Sequence, residues 1–328
     1  MMGIPFGFSP TQIFNFCVGK YMNFCGLHSR LVELDNGTTM ECWMPKNHGA
    51  RQTRGGYSTK KPSLVLLHAF GLNSHTWCRQ VSSFSSAFDV FIPNLLFAGR
   101  SFTTNKARTE FFQAECVYKL LQHLDVQEFC VVGTSYGGFV GYRMAHMYPH
   151  AVQKLVISSS AVNMTPETDE AMVRRFKTKD VTEILQPHDA EGIRRASILA
   201  FYKQPPFTVP EFICNDVLNV LFNVNRKEKL ELLDGLQLRK PDAPPLPKIN
   251  QEVLLIWGEH DPVFNVIYAH RLKESLGDKA DLVILKDAAH VPQAEVPWEY
   301  NKKVLEFLIK SPRETCFPSE GSIDRHKE

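Results

Sequence analysis

Apolar positions along the chain follow two rhythms. Short, nearly continuous apolar runs read as strands buried on both faces: "SLVLLHAFG" (63–71), "DVFIPN" (89–94), "EFCVVG" (128–133), "KLVISSS" (154–160), "EVLLIWG" (252–258) and "DLVILKD" (281–287). Between them, apolar residues recur every three or four positions in "HTWCRQVSSFSSAF" (75–88), residues 106–124, "FVGYRMAHMYP" (139–149), "IYAHRLKESL" (267–276) and residues 297–309, which predicts helices. Strands alternating with helices predict an α/β fold with a mostly parallel central sheet and helices on both faces. Ahead of them, "LVELDNGTTMECWM" alternates and carries Asn36-Gly37, a hairpin signal. The same Asn-Gly-Thr is formally a glycosylation triplet, but the turn accounts for it in a chain without a secretion signal. "MPKNHGARQTRGGYSTKKP" (44–62) follows as a basic, Gly-rich, solvated connector.

The alternation breaks in two places. Residues 163–250 hold no strand pattern, only helical stretches such as "DVTEILQ", "AEGIRRASILAFY" and "FICNDVLNVLF". This predicts an inserted helical cap, with the core formed by 28–162 and 251–310 and a frayed polar tail at 311–328. The second break is residues 1–27, where no charge precedes Lys20. Ile13, Phe14, Cys17, Val18, Tyr21, Met22 and Cys25 recur at helical spacing, with Asn15, Gly19, Lys20 and Asn23 mainly opposite. That is an amphipathic helix, too interrupted to span a bilayer. It either packs on the body or lies peripherally on a membrane through residues 1–26, with Cys17 and Cys25 as candidate palmitoyl acceptors.

Composition changes this picture only by exclusion. Across 328 residues the hydrophobic content is 44% and the net charge +2, enough for a sizeable core and no general case for nucleic acid. The eight cysteines form no C-x-x-C pair, the pattern of reduced thiols in a cytoplasmic protein. No metal cluster, phosphate loop or nucleotide fingerprint appears, so no cofactor is implied.

The chemistry concentrates at strand ends. Gly133-Thr134-Ser135-Tyr136-Gly137-Gly138 stands where a strand passes into a helix, the nucleophile-elbow pattern G-x-S-x-G. A Gly/Ser-rich turn would read the same way in isolation. A serine hydroxyl needs a general base, and the base needs an orienting acid. His290 and Asp261 end two later strands, and in a parallel sheet the carboxyl ends of strands share one rim. Glu259 is the next candidate acid. The N–H groups of Tyr136 and Phe70 are candidate donors for an oxyanion. His68 is expected to shape its turn and His260 to belong to a loop.

Taken together, His68-Ala69-Phe70-Gly71, Pro93 to Ser101, the Ser135 elbow, Gly258 to Pro262 and Ala289-His290 resemble the α/β-hydrolase superfamily over residues 28–310. The "PNLLFAGRS" and "NRKEKLELLDGL" stretches are further similar to plant members related to monoacylglycerol lipases, often labelled epoxide-hydrolase-like. The resemblance implies Ser135 as nucleophile, Asp261 as acid, His290 as base, and Phe70 and Tyr136 as oxyanion donors. Two positions depart from the family pattern. Ala69 stands where glycine is commoner, restricting the backbone if positive φ is needed there. Asn94 stands where aspartate is common, changing a loop charge and not the triad.

Epoxide hydrolases and dehalogenases of this fold use an aspartate nucleophile, which Ser135 argues against. Glu295, in "HVPQAE", replaces the aspartate of acyltransferase relatives. The expected activity is hydrolysis of a carboxylic ester through an acyl-enzyme. The stretch 200–224, rich in Phe, Leu and Val, favours a lipid-like or small apolar substrate. The alternatives are a receptor or scaffold that holds a ligand under the cap, and a serine-triad C–C hydrolase or lyase.

Overall fold

The structure, a computed structural model, describes residues 8–35, 37–48, 61–240, 242 and 245–310. The tail expected at 311–328, the first seven residues, Asn36 and most of the basic connector lie outside the described residues.

The hairpin consists of β1 (Leu27–Leu34) and β2 (Thr38–Pro45), with Leu34 opposite Thr38. β2 then pairs antiparallel with β4 (Asp89–Pro93), and the two-residue β5 (Phe102–Thr103) pairs with β2. From β4 onward the sheet is parallel through β3 (Ser63–Leu67), β6 (Phe129–Thr134), β7 (Val152–Ser158), β8 (Glu252–Gly258) and β9 (Ala280–Leu285). The spatial order is β1-β2-β4-β3-β6-β7-β8-β9.

The apolar runs are continuous because both faces of each parallel strand are covered. Leu64, Leu66, Val132 and Ile256 pack into one core with α2 (Cys78–Ala87) and α12 (Pro297–Ile309). Their neighbours Val65, Leu67, Val131 and Leu255 pack into the other, with α3 (Glu110–His123), α4 (Tyr136–Met147) and α10 (Val266–Leu276). α3 starts at Glu110, four residues later than the apolar spacing suggests, because Thr109 caps it by accepting from the Phe112 N–H at 3.2 Å.

Between β7 and β8 the chain runs through α5 (Pro166–Phe176), α6 (Thr182–Leu185), α7 (Ala190–Ala200), α8 (Glu211–Val217) with a π-helical turn to Phe222, and α9 (Arg226–Asp234). Ala190, Ile193, Cys214, Leu218 and Phe222 form a small core of their own there.

Helix α1 (Pro10–Phe24) forms as its spacing predicts, but the face it buries is shifted. Thr11, Val18 and Met22 are buried, with Val18 and Met22 in the same core as α2. Gly19 lies against the Trp43 ring, and Asn15 Oδ1 is 3.2 Å from His75 Nδ1. Ile13, Phe14 and Tyr21, on the other edge of the expected apolar face, remain exposed. The apolar arc is broader than the groove that receives it, so the body covers one edge and borrows Asn15 and Gly19 to complete the contact.

Candidate active site

The serine sits where strand, turn and helix pass very close to one another. Ser135 caps α4 with φ 51° and ψ −120°, a conformation costly for a residue with a side chain. A Cβ on Gly133 would lie 2.2 Å from the Gly137 carbonyl oxygen, and one on Gly137 would lie 2.3 Å from that of Leu67. The two glycines are therefore what lets strand, elbow and helix pass so closely. The Ser135 N–H donates to Ser158 O at 2.9 Å, and the Ser160 hydroxyl donates to Ser135 O at 2.6 Å, holding the turn from the β7 side.

Asp261 and His290 come from the loops after β8 and β9. His290 Nε2 is 2.9 Å from Ser135 Oγ, and its Nδ1 is 3.1 and 3.0 Å from the two Asp261 carboxylate oxygens. Nδ1 donates to the carboxylate, which leaves Nε2 to accept from the serine hydroxyl. Asp261 is held in turn: its Oδ1 accepts from the N–H groups of Val263 and Phe264, both at 2.9 Å. All three residues are buried. Glu259 does not share in this chain; it is half-exposed beside His260, whose ring stacks on Tyr202 with centroids 3.9 Å apart.

Phe70 and Tyr136 border the same cavity as Ser135, with rings edge to face at 5.8 Å. Ala69 does not adopt positive φ; the turn takes that conformation at Gly71, with φ 73°. The substitution therefore carries no backbone strain. His68 is buried, accepts from the Leu95 N–H at Nε2 (3.0 Å) and donates from Nδ1 to Ala69 O (2.8 Å). Burial lowers its pKa to about 4, so it is a neutral brace between two loops.

Asn94 fits its surroundings better than a carboxylate would. Its Oδ1 accepts from the Ser74 N–H at 2.7 Å, and its Nδ2 donates to Glu41 Oε2 at 2.8 Å. Glu41 supplies the charge here and pairs with Arg100 at 2.7 Å. Burial pushes its carboxyl up, but hydrogen bonds from Arg100 and Ser29 outweigh this and hold it below the usual carboxylate range.

Two polar features escaped the reading of the sequence. Asp169, on α5, pairs with Arg239, and both border the cavity at Ser135. Thr165-Pro166 followed by acids and ending in Arg174-Arg175 does announce α5, but nothing local announces its partner across the fold. Glu295 accepts at Oε2 from the Ala289 N–H (2.6 Å) and at Oε1 from the N–H groups of Tyr202 and Lys203 (2.8 and 3.2 Å). It thus ties the end of α7 to the loop that carries His290. Among the described residues no group of three or more His, Cys, Asp or Glu side chains is placed to hold a metal ion.

A family model described as the α/β hydrolase fold matches residues 62–207. Monoacylglycerol lipase ABHD6 of Mus musculus is 25% identical over 261 residues, 76% of each chain. The pimeloyl-[acyl-carrier protein] methyl ester esterase of Vibrio vulnificus is 26% identical over 264 residues, 79% of this chain and 97% of its own. Among solved structures, a membrane phospholipase A superposes with a TM-score of 0.73 at 24% identity, covering 92% of this chain and 91% of its own. Strand order, elbow, family model and relatives agree on the α/β-hydrolase fold, whose family model residues 62–207 match.

Proposed function

We propose that this protein is a serine hydrolase that cleaves a carboxylic ester through an acyl-enzyme, with Ser135 as nucleophile, His290 as general base and Asp261 as the acid that orients it. The continuous hydrogen-bonded chain Ser135–His290–Asp261 carries this reading. As Ser135 Oγ bonds to the ester carbonyl carbon, its proton passes to His290 Nε2. Asp261 keeps the imidazole in the right tautomer and stabilises its charge. The carbonyl oxygen becomes an oxyanion, for which the backbone N–H groups of Tyr136 and Phe70 are the donors. When the C–O bond breaks, the alcohol leaves with the proton from Nε2. Water then attacks the acyl-serine by the same proton route, releasing the acid and restoring the hydroxyl.

Residues 163–250 act as the cap over this site. The cavity at Ser135 is about 30 Å³ and is bordered by Phe139, Met164, Met172, Leu185, Leu233 and Phe264. That volume holds about one water molecule, so an acyl chain enters only as α5 and α9 give way. The apolar lining suits a lipid-like or small apolar ester, in keeping with relatives named as a monoacylglycerol lipase and a methyl ester esterase. The test is an ester panel running from short acyl esters to monoacylglycerols and lysophospholipids, assayed on wild type and Ser135→Ala. Turnover by wild type and none by the folded variant is expected. Equal turnover by both removes Ser135 from the reaction, and no turnover by wild type of any ester favours a ligand-holding receptor.

A further inference from the structure

The exposed side of α1 does not belong to the packing of the body. Phe24 is 88% exposed, Phe16 64%, Phe14 59% and Ile13 49%. Ile13, Cys17, Tyr21 and Phe24 follow one another at spacings of four, four and three, so they form one stripe along the helix. A monomer normally spends its aromatic residues in its core; a rigid helix that presents them outward has a surface to meet.

The helix is rigidly held. The Thr11 N–H donates to Asp216 Oδ2 on α8 at 2.7 Å, Asn15 meets His75, and Lys46 Nζ donates to Asn23 O at 2.7 Å. α1 therefore spans from the hairpin to the helices between β7 and β8 and cannot simply fold its aromatics inward.

What the stripe adjoins says what it meets. Phe14 borders a cavity of about 540 Å³ whose other walls include Leu72, Phe201, Ile213 and Val291. Val291 directly follows His290, and Leu72 directly follows the Phe70–Gly71 turn. A mainly apolar cavity thus lies between α1 and the segments that follow the Phe70–Gly71 turn and His290. α1 carries no acidic residue, and its one charge, Lys20, lies over the Phe16 ring at 5.1 Å. The helix carries no acid that anionic headgroups would repel. Exposed aromatic rings beside a lysine suit a lipid headgroup layer, where rings sit at the boundary and the ammonium reaches the headgroups.

We propose that α1 is a lipid-docking element: its face of Ile13, Phe16, Cys17 and Phe24 seats on a bilayer surface and brings the cavity that Phe14 borders toward the lipid from which an ester is drawn. The substrate side of this inference rests on the ester-hydrolase reading; the docking does not. The test uses the full chain and the double variant Phe16→Gln, Phe24→Gln, which is neutral and changes only exposed positions. Sedimentation with phosphatidylcholine vesicles, with and without phosphatidylserine, is expected for wild type and for Ser135→Ala alike. The double variant loses about tenfold or more in vesicle affinity and turns over a vesicle-borne ester correspondingly more slowly. Its kcat/KM on a water-soluble ester and its melting temperature stay as in wild type. Wild type that does not sediment, or a double variant that sediments equally well, overturns the proposal. So does analytical ultracentrifugation that finds a wild-type dimer and a monomeric variant with no vesicle binding, since the face would then meet a second copy. Wild type that sediments yet hydrolyses no ester keeps the docking and removes the ester-hydrolase reading.

Discussion

The rim of the parallel sheet and the helices between β7 and β8 lie against one cavity but are held by different means. At the rim, short hydrogen bonds to backbone groups hold Ser135 and Asp261 in place. Ser135 is pinned through its own N–H and carbonyl to β7 and Ser160, and Asp261 by two N–H groups of its own loop. Two large cores lie behind that sheet. Of the helices opposite, α5, α6 and α9 bury Met172, Ile184 and Leu232 in one of those cores, α7 and α8 have a small core of their own, and side chains reaching backbone carbonyls add further ties. Arg226 donates to Pro187 O and Gln186 O at 2.7 and 3.0 Å, and Gln186 donates to Phe222 O at 2.7 Å. With only the small core behind them, α7 and α8 are less deeply anchored than the rim they lie beside.

The contrast breaks first at the rim. Ser135→Ala or His290→Ala is expected to lower kcat by about 10⁴-fold or more with the fold retained, measured on the ester the panel identifies. Asp261→Asn is expected to cost about 10³- to 10⁴-fold, because the amide favours the wrong imidazole tautomer. A neutral Asp261→Asn would show that another carboxylate serves. Glu295→Ala probes the seam between the two regions. It leaves the N–H groups of Ala289, Tyr202 and Lys203 without their acceptor and is expected to lower kcat about tenfold, a cost of about 1–3 kcal/mol for a lost charged hydrogen-bond partner. An unchanged kcat would mean that the His290 loop holds without its tie to α7.

Away from the seam the effects fall on stability. Asn94→Asp sets a second carboxylate against Glu41 and is expected to destabilise by about 1–3 kcal/mol in urea unfolding, with kcat little changed. Glu41 gives a smaller, pH-dependent effect. Its folded-state pKa is lowered, so its contribution is whole above the unfolded carboxylate pKa and is lost as pH falls through the lower folded value. The stability gap between wild type and Glu41→Gln should therefore be full at neutral pH and shrink as the solution is acidified below the ordinary carboxylate range. A gap that widens toward acid would reverse the sign and contradict the role given to Arg100.

The rim was legible in the sequence because its signals are local. A β-branched run, a glycine pair and a serine mark one strand end, and two more apolar runs deliver Asp261 and His290 to the same edge. The meeting of the three follows from parallel strands alone. The Asp169–Arg239 pair and the Glu295 tie were not legible, since each joins residues far apart in the chain through a packing that periodicity does not encode. α1 lies between these cases. Its spacing announced the helix, but it could not tell which edge of a broad apolar arc the body would cover. The groove that decides this is built from Trp43, His75 and α2, elements whose positions depend on the whole sheet.

The central claim is that Ser135 forms a covalent acyl intermediate. Full-length protein treated with a fluorophosphonate and mapped by peptide mass spectrometry tests it most directly, with ester hydrolysis followed on the same sample. The account predicts one adduct, on Ser135, accumulating in step with the loss of hydrolysis and absent from His290→Ala over the same time. An adduct on another residue, or hydrolysis that continues after Ser135 is fully labelled, would contradict it.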